Sequence, residues 1–257
     1  MHSTRTAMTA PTPPQVYIIQ GRQVPLPVVV RDASSGVATY VVPSAAVRQI
    51  LPSGVFDVAE IWPGKTLFSL AAIEYRDNDL GEYNEVSLTF FVRPRDTPRG
   101  VPYAGTVADF FRGRLGTFIH WLPVNGSFTC EAGRTIWGFP KTMEDIVIQK
   151  DPARVVCTLT AGGRHVLTLT LPRGGTRAIP EMPMTTYSLI GEDLHRTAFT
   201  QAGAGVGFHL GAAELTLGDH PAADGLRRLG LPKRALMSMW IEHMRGRFAG
   251  AERMAAV

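Results

Sequence analysis

"ARVVCTLTAGGRHVLTLTL", residues 153–171, is the stretch that most clearly indicates the fold. Apolar side chains alternate with threonines on both sides of the pair Gly162 and Gly163. Alternation with a period of two residues is typical of a half-buried β-strand, and a Gly-Gly pair is typical of a tight hairpin turn. The stretch therefore predicts an antiparallel hairpin that buries one of its faces.

Further strands are predicted on both sides of this hairpin. Residues 66–77 and 82–94 read as two strands joined by a turn at 78–81, and 205–219 as another strand region. Residues 15–32 are extended, with Pro25 and Pro27 favouring an edge strand or a bulge. Helical spacing is confined to 43–52, to 105–114 with Thr106 as cap, and to 232–248 behind Pro232. This pattern predicts an α+β, β-rich protein, with a closed or strongly curved sheet and a C-terminal helix packed on it.

Composition and charge place the chain among ordinary globular proteins. It has 257 residues, 45% of them hydrophobic and 19% charged, and a net charge of +4. We expect a disordered arm over residues 1–14 and a single domain over 15–257. The positive charge is not clustered and no apolar run reaches the ~18 residues of a membrane span, so we expect neither nucleic acid nor membrane as a partner. The arm lacks the apolar region of a signal peptide, which predicts a cytoplasmic protein.

The sequence lacks complete motifs for nucleotide binding, metal binding and serine hydrolysis. Residues 59–66, "AEIWPGKT", lack the first glycine of a phosphate-binding loop and read as a turn before a strand. The "GAGVG" at 203–207 lacks dinucleotide-binding spacing, and there is neither an H-E-x-x-H nor a G-x-S-x-G sequence. Cys130 and Cys157 have no metal-ligand spacing and lie in apolar, strand-like runs, so both are expected to be buried hydrophobes.

One lysine stands in an unusual setting. Lys141 follows the aromatic run that contains Trp137 and Phe139, whereas most lysines lie on polar faces. As a nucleophile toward a carbonyl carbon, a lysine amine must be neutral. Burial in an apolar pocket can lower a lysine pKa by up to ~3–5 units, which is enough for nucleophilic chemistry near pH 7. Residues alone leave a surface lysine and a buried reactive amine both open.

The segment "EAGRTIWGFPKTMEDI", residues 131–146, resembles the active-site segment of the acetoacetate decarboxylase family. In that family a Gly-Arg pair precedes an aromatic-Pro-Lys sequence, and the lysine forms a Schiff base. The matching positions are Gly133, Arg134, Phe139, Pro140 and Lys141. The resemblance extends, more weakly, over about residues 15–248. It implies a closed β-cone or barrel with small helices, assembled as a homo-oligomer.

Two further segments match in order and imply roles for other residues. "IIQGRQVPLPVVVRD", 18–32, resembles the strand that carries an arginine toward the substrate carboxylate, which falls on Arg22. "DLGEYNEVSLTF", 79–90, resembles the strand whose glutamate faces the lysine, which falls on Glu85, with Glu82 as a rival. Trp137 and Phe139 would contact the substrate beside Lys141.

The resemblance also has gaps, which leave the reaction open. The second lysine that follows the reactive one in the decarboxylases is Thr142 here, and a glutamate on the preceding strand is replaced by Ser69. The chemistry implied is that of a Schiff-base lyase on a keto acid: decarboxylation of a β-keto acid, or aldolase or dehydratase chemistry through the same iminium. A barrel that binds a hydrophobic carboxylate without catalysis is the other alternative. No cofactor and no metal are expected, because the lysine iminium itself accepts the electrons.

Overall fold

The computed structural model of the protein describes residues 15–95 and 101–254, and strands dominate both ranges. The described helices are α1 Ser44–Arg48, α2 Ala104–Phe111, α3 Ser127–Trp137 and α4 Pro221–Arg228. The described strands are β1 Val16–Ile19, β2 Arg22–Pro25, β3 Val28–Pro43, β4 Phe56–Val58, β5 Glu60–Trp62, β6 Lys65–Asn78, β7 Tyr83–Pro94, β8 Gly116–Val124, β9 Lys141–Met143, β10 Asp145–Lys150, β11 Arg154–Ala161, β12 Arg164–Pro172, β13 Arg177–Ile190, β14 Asp193–His209, β15 Glu214–Leu217 and β16 Met237–Arg253. The N-terminal arm predicted for residues 1–14 lies outside the described residues.

Seven strands close into a barrel in the order β3-β6-β7-β8-β13-β14-β16, with β16 pairing back to β3. Neighbouring strands are antiparallel except β8 and β13, which run parallel. The short strand β9 extends the sheet by pairing parallel to β8. The closed barrel agrees with the β-rich fold expected from the sequence.

A second sheet packs against the outside of this barrel. It has the order β10-β11-β12-β15, and its centre is the hairpin predicted at 153–171, with Gly162 and Gly163 in the turn. Buried side chains of both sheets share one core, including Tyr40 and Phe68 from the barrel and Leu167 from the hairpin. The hairpin prediction is therefore confirmed, and its buried face covers the barrel wall.

A second core lies under the hairpin formed by β1 and β2. Ile19 and Val24 of this hairpin pack with Ile136 and Trp137 of α3. The predicted edge position is confirmed for Pro25, because among the described strands β2 pairs only with β1. This arrangement places α3 beside the barrel, one turn of chain before Lys141.

The predicted C-terminal helix is wrong, because residues 237–253 form strand β16. Pairing of β16 with β3 shifts register between Ile241 and Met244 and again before Gly246. Such bulges add residues to one strand and interrupt its two-residue alternation. The apolar positions at Met237, Ile241 and Met244 consequently have a spacing that imitates a helix.

Other local predictions also need correction. Cys130 lies in α3 and not in a strand, although both cysteines are buried and free. Thr106 does not cap α2, because the helix begins at Ala104, directly after Tyr103. The hydroxyl of Thr106 instead accepts a hydrogen bond from Arg93.

The stretch 59–66 does form a turn before a strand, as predicted. Within the described ranges, no helix is both long and apolar enough to cross a bilayer.

Candidate active site

Lys141 begins β9, where its backbone is held from two sides. It lies opposite Leu122 of β8, and Arg134 Nε donates a hydrogen bond of 2.7 Å to its carbonyl oxygen. The helix α3 ends at Gly138, which adopts a left-handed conformation that glycine reaches without strain. The chain can therefore turn sharply from α3 into β9 and direct the lysine side chain into the barrel.

Packing of the Lys141 side chain explains why position 133 is a glycine. A Cβ atom at position 133 would lie 2.5 Å from Lys141 Cδ and 2.6 Å from Cε. Atoms of a real side chain do not approach so closely, so the lysine stem passes over α3 at the one place without a side chain. Glycine in a helix reduces stability by about 0.5–1 kcal/mol relative to alanine, and close packing of the lysine is the compensating gain.

The lysine amine is buried and paired. Its Nζ lies 3.0 Å from Glu85 Oε2, with 3% of the lysine side chain and 7% of the glutamate side chain exposed. It also donates a 3.0 Å hydrogen bond to Thr129 Oγ1 and lies 4.9 Å from the centre of the Tyr83 ring. The hydroxyl of Tyr75 donates to Glu85 Oε1 at 3.4 Å, and its ring stacks on Tyr83.

Burial and pairing act on the Lys141 amine in opposite directions. Burial lowers the pKa of Lys141, because the ammonium loses its hydration, but the Glu85 carboxylate and the Tyr83 hydroxyl outweigh burial and raise this pKa above its usual value. The expectation that an apolar pocket lowers the pKa is therefore wrong while Glu85 faces the amine. Burial also raises the pKa of Tyr75 and Tyr83, which keeps both phenols protonated.

The structure separates the two candidate glutamates. Glu85 points into the barrel beside Lys141, whereas Glu82 is exposed. Trp137 and Phe139 are both buried, stack on each other and line the cavity that contains Lys141. Trp137 Nε1 also donates to the carbonyl oxygen of Ala249, which fixes its indole against β16. The structure thus brings together Lys141, Glu85, Trp137 and Phe139.

Arg22 is not brought to this cavity. Arg22 is exposed, its guanidinium lies 4.2 Å from the centre of the Phe128 ring, and it is not among the residues that line the cavity. Binding of a substrate carboxylate by Arg22 stays a prediction, and its position in the structure does not support it.

Replacing Arg22 by alanine decides the point. From this position we expect less than a threefold change in KM for acetoacetate, because an exposed cation that does not line the cavity makes a small contribution. Steady-state kinetics with acetoacetate and with a neutral ketone provide the measurement. A large rise in KM for acetoacetate, without a rise for the neutral ketone, would support binding of the substrate carboxylate by Arg22.

The two positions where family residues are replaced differ in their surroundings. Thr142 faces away from the cavity, and its Oγ1 accepts a 2.8 Å hydrogen bond from Trp121 Nε1. Successive strand residues point to opposite faces, so a side chain at 142 does not share the cavity with Lys141. Ser69 does line the cavity, where its hydroxyl lies 3.3 Å from that of Thr39.

The cavity itself occupies the barrel lumen and has a volume of about 390 Å³. Most of its wall is apolar, and among the described lining residues Glu85 and Lys141 are the charged ones. No group of three or more potential metal ligands occurs in the described ranges. The arrangement is a single buried amine–carboxylate pair in the wall of a mostly apolar chamber, which can react with a carbonyl group and shield the product from water.

Three neighbours of Lys141 were not predicted from the sequence. Tyr83 lies two residues before Glu85, and this spacing on a strand places both on one face, so the strand pattern could have revealed it. Thr129 lies four residues before Gly133, the spacing of one helix face, but α3 itself was not predicted. Tyr75 reaches Glu85 across paired strands, which no local signal indicates.

Comparison with known proteins agrees with this geometry. Residues 11–245 match the family model described as acetoacetate decarboxylase (ADC). No curated protein sequence matches the chain.

Solved structures share the fold at low sequence identity. The acetoacetate decarboxylase of Legionella pneumophila has a TM-score of 0.67 and 15% identity, covering 99% of this chain and 98% of that chain. Another acetoacetate decarboxylase structure has a TM-score of 0.62 and 18% identity, covering 89% of both chains. The enduracididine biosynthesis enzyme MppR complexed with pyruvate has a TM-score of 0.56 and 16% identity, covering 90% of this chain and 91% of that chain.

Proposed function

Because this chain belongs to the acetoacetate decarboxylase family, we propose that it is a lyase that forms a Schiff base between Lys141 and a keto acid. One observation carries the proposal: the Lys141 amine lies buried against the barrel lumen, 3.0 Å from a carboxylate that can take its proton. A lysine that served only the fold would be expected on the surface.

The first step needs a neutral amine. With its pKa raised, Lys141 is an ammonium before the substrate binds, and Glu85 is the group close enough to accept its proton. The free amine then attacks the carbonyl carbon and a C–N bond forms; Glu85 returns the proton to the hydroxyl group, which leaves as water and gives a positively charged iminium. The iminium occupies the place of the ammonium, so it retains the negative partner on Glu85.

Decarboxylation follows from the iminium. The bond between the carboxylate and the α-carbon breaks, carbon dioxide leaves, and the electron pair passes into the iminium to give a neutral enamine. The Glu85 carboxylate takes a proton from water and passes it to the enamine carbon, which regenerates the iminium, and water then hydrolyses the iminium to release the ketone and free Lys141. Each proton that Glu85 gives or takes moves within hydrogen-bonding distance of Lys141.

Aldolase or dehydratase chemistry is the second candidate, and two observations favour it. The lumen is larger than acetoacetate requires, and apart from the reacting Lys141 no cation lines its described wall to hold a carboxylate. The enamine formed at Lys141 could attack an aldehyde held further along the lumen, forming a carbon–carbon bond. The related structure of MppR, solved with the condensation product of pyruvate and imidazole 4-carboxaldehyde, contains a product of that type.

Borohydride trapping tests the Schiff base directly. The protein is incubated with acetoacetate and, separately, with pyruvate, then reduced, digested and analysed by mass spectrometry. We expect a stable adduct on the peptide that contains Lys141, and release of carbon dioxide from acetoacetate if decarboxylation is the reaction. Folded protein that binds the acids but yields no adduct would favour the non-catalytic barrel.

Replacing Glu85 by glutamine should separate adduct formation from turnover. Without the carboxylate, the strongest interaction that raises the pKa of Lys141 is lost while burial still lowers it, so the pKa of the amine should fall and adduct formation should extend to lower pH. Turnover should slow by roughly 100-fold, because the group that moves protons is lost. Quenching into borohydride across neutral to alkaline pH measures the first effect. The exposed neighbour Glu82→Gln is the matched control and should leave both quantities unchanged.

A further inference from the structure

The lumen extends well beyond the amine–carboxylate pair. On β7 the alternate residues Glu85, Ser87, Thr89 and Phe91 all line it. At a strand rise of about 3.3 Å per residue, these six steps of chain span roughly 20 Å. Tyr75 and Asn78 line the lumen on the other side of Glu85, so the Lys141–Glu85 pair lies partway along a long chamber, and a small substrate would leave most of it empty.

Four hydroxyl groups form a polar band partway along this chamber, which we call the hydroxyl belt: Thr39, Ser69, Ser87 and Thr89. The four residues lie on three adjacent strands; Ser69 lies opposite both Thr39 of β3 and Thr89 of β7 in the sheet. All four line the lumen. Along β7, Ser87 and Thr89 lie about 7 and 13 Å from Glu85. The belt is thus centred about 10 Å from the reacting amine.

The belt retains hydrogen-bonding capacity. Thr39 bonds Ser69 at 3.3 Å, and Ser87 bonds Thr89 at 2.8 Å. A hydroxyl has one hydrogen and two lone pairs, so in each pair one hydroxyl donates and the other keeps its own hydrogen. Thr39 and Thr89 are at least nine-tenths buried. One hydroxyl of each pair therefore has a hydrogen that it can donate to an oxygen of a molecule in the lumen.

The remaining wall of the lumen is mostly apolar and adaptable in shape, with polar side chains that include Ser35, Thr186 and Gln201. Its side chains include methionines and phenylalanines from β13, β14 and β16: Met184, Phe199, Met237, Met239, Met244 and Phe248. Methionine adapts to irregular apolar shapes, and such a wall favours hydrocarbon. A charged group of a substrate placed beside the belt would lose its hydration without gaining an ionic partner. The charged residues among the described lining are Lys141 and Glu85, which lie away from the belt.

We propose that the substrate of this site is a carbonyl compound with an uncharged hydrocarbon body of about eight to ten carbons, whose far end carries a hydroxyl or carbonyl oxygen that binds the hydroxyl belt. The inference rests on the proposed function, since Lys141 must form the Schiff base at the near end. Any carboxylate of the substrate then lies next to the reacting carbonyl and not at the far end. Acetoacetate would fill only the first part of the lumen.

Three neutral ketones test the proposal: butan-2-one, nonan-2-one and 9-hydroxynonan-2-one. The measured quantity is the ketone concentration that gives half-maximal borohydride-trapped adduct on the Lys141 peptide. Because each buried methylene contributes about 0.8 kcal/mol, nonan-2-one should reach this point at a concentration at least about tenfold below that of butan-2-one. The hydroxyketone should bind at least as tightly as nonan-2-one, because the belt replaces the water that its hydroxyl loses.

Variants assign the effect to the belt. Thr89→Val and, separately, Ser69→Ala should each raise the half-maximal concentration of the hydroxyketone by about threefold to tenfold relative to that of nonan-2-one. Thr158→Val, on the outer sheet, is the matched control and should leave this ratio unchanged. Ala71→Leu, which narrows the lumen between the amine and the belt, should reduce the preference for nonan-2-one over butan-2-one. Circular dichroism verifies that each variant is folded.

The possible outcomes are distinct. Equal half-maximal concentrations for butan-2-one and nonan-2-one would overturn the extended substrate while leaving the Schiff base in place. An unchanged hydroxyketone ratio in both belt variants would overturn the role of the belt. Failure of all three ketones in protein that gives an adduct with acetoacetate or pyruvate would overturn this inference and leave the proposed function in place, whereas failure of the keto acids as well would overturn both.

Discussion

Lys141→Met is expected to abolish the trapped adduct and to reduce turnover to background. The substitution keeps an unbranched side chain of similar length in the same channel over Gly133, but it removes the nitrogen that bonds to the substrate. Mass spectrometry after borohydride reduction, together with steady-state kinetics, gives the measurement. Lys65→Ala, which removes an exposed lysine, is the control and should react like the parent protein. An adduct that persisted in Lys141→Met would transfer the chemistry to another lysine.

The same variant should also unfold more easily, because it leaves the Glu85 carboxylate buried without its partner. Breaking a buried ion pair on one side typically costs about 3–5 kcal/mol, whereas replacing both charges is often neutral. The double variant Lys141→Met with Glu85→Gln should therefore recover most of the free energy of unfolding without recovering activity. Since the pKa of Lys141 is raised, the pair stabilises the fold fully below the ordinary lysine pKa, and this contribution is lost as pH rises through the raised pKa.

Gly133→Ala is expected to reduce turnover by about 100-fold without unfolding the protein. The new methyl group would overlap Lys141 Cδ and Cε, so the lysine stem must move and its amine must leave the position between Glu85 and Thr129. Displacement of a reacting atom by about 1 Å is enough for a loss of this size. The rate of adduct formation at saturating ketone would report the displaced amine.

A second helical glycine provides a matched control for this substitution. Gly225 lies inside α4, and a Cβ atom there would contact nothing within 4 Å. Both alanine variants gain the same helix propensity, about 0.5–1 kcal/mol, so their difference isolates the contact with Lys141. If Gly133→Ala and Gly225→Ala had equal activity, the glycine would have no part in placing the lysine.

The accuracy of the sequence predictions depended on whether the controlling interaction was local. The hairpin at 153–171 was predicted because its alternation and its Gly-Gly turn are complete within nineteen residues. The strand β16 was predicted as a helix because bulges interrupt its alternation, and those bulges arise from pairing with β3, about two hundred residues away. The helices α3 and α4 were missed, since α3 has no side-chain cap and α4 is only two turns long.

Predictions about the site also succeeded or failed according to whether the controlling interaction was local. Lys141 and Glu85 were identified through resemblance to a family, and the structure places them in contact. The raised pKa of Lys141 was not foreseen, because its sign depends on a carboxylate 56 residues earlier in the chain. Arg22 matches a family position in sequence yet lies outside the lumen, which local resemblance cannot detect. The predicted homo-oligomer and cytoplasmic location stay predictions.

The buried pair of Lys141 and Glu85 has a consequence for the barrier to reaction. In water, solvent dipoles must rotate whenever a charge appears or moves, and this reorganisation contributes to the activation free energy. Here the Glu85 carboxylate already faces Nζ at 3.0 Å, and the hydroxyl of Thr129 is already oriented toward it. Any cation formed at Nζ would therefore meet dipoles that were already oriented when the chain folded. The free energy needed to orient those dipoles is part of the free energy of folding and does not add to the activation free energy of the chemical step.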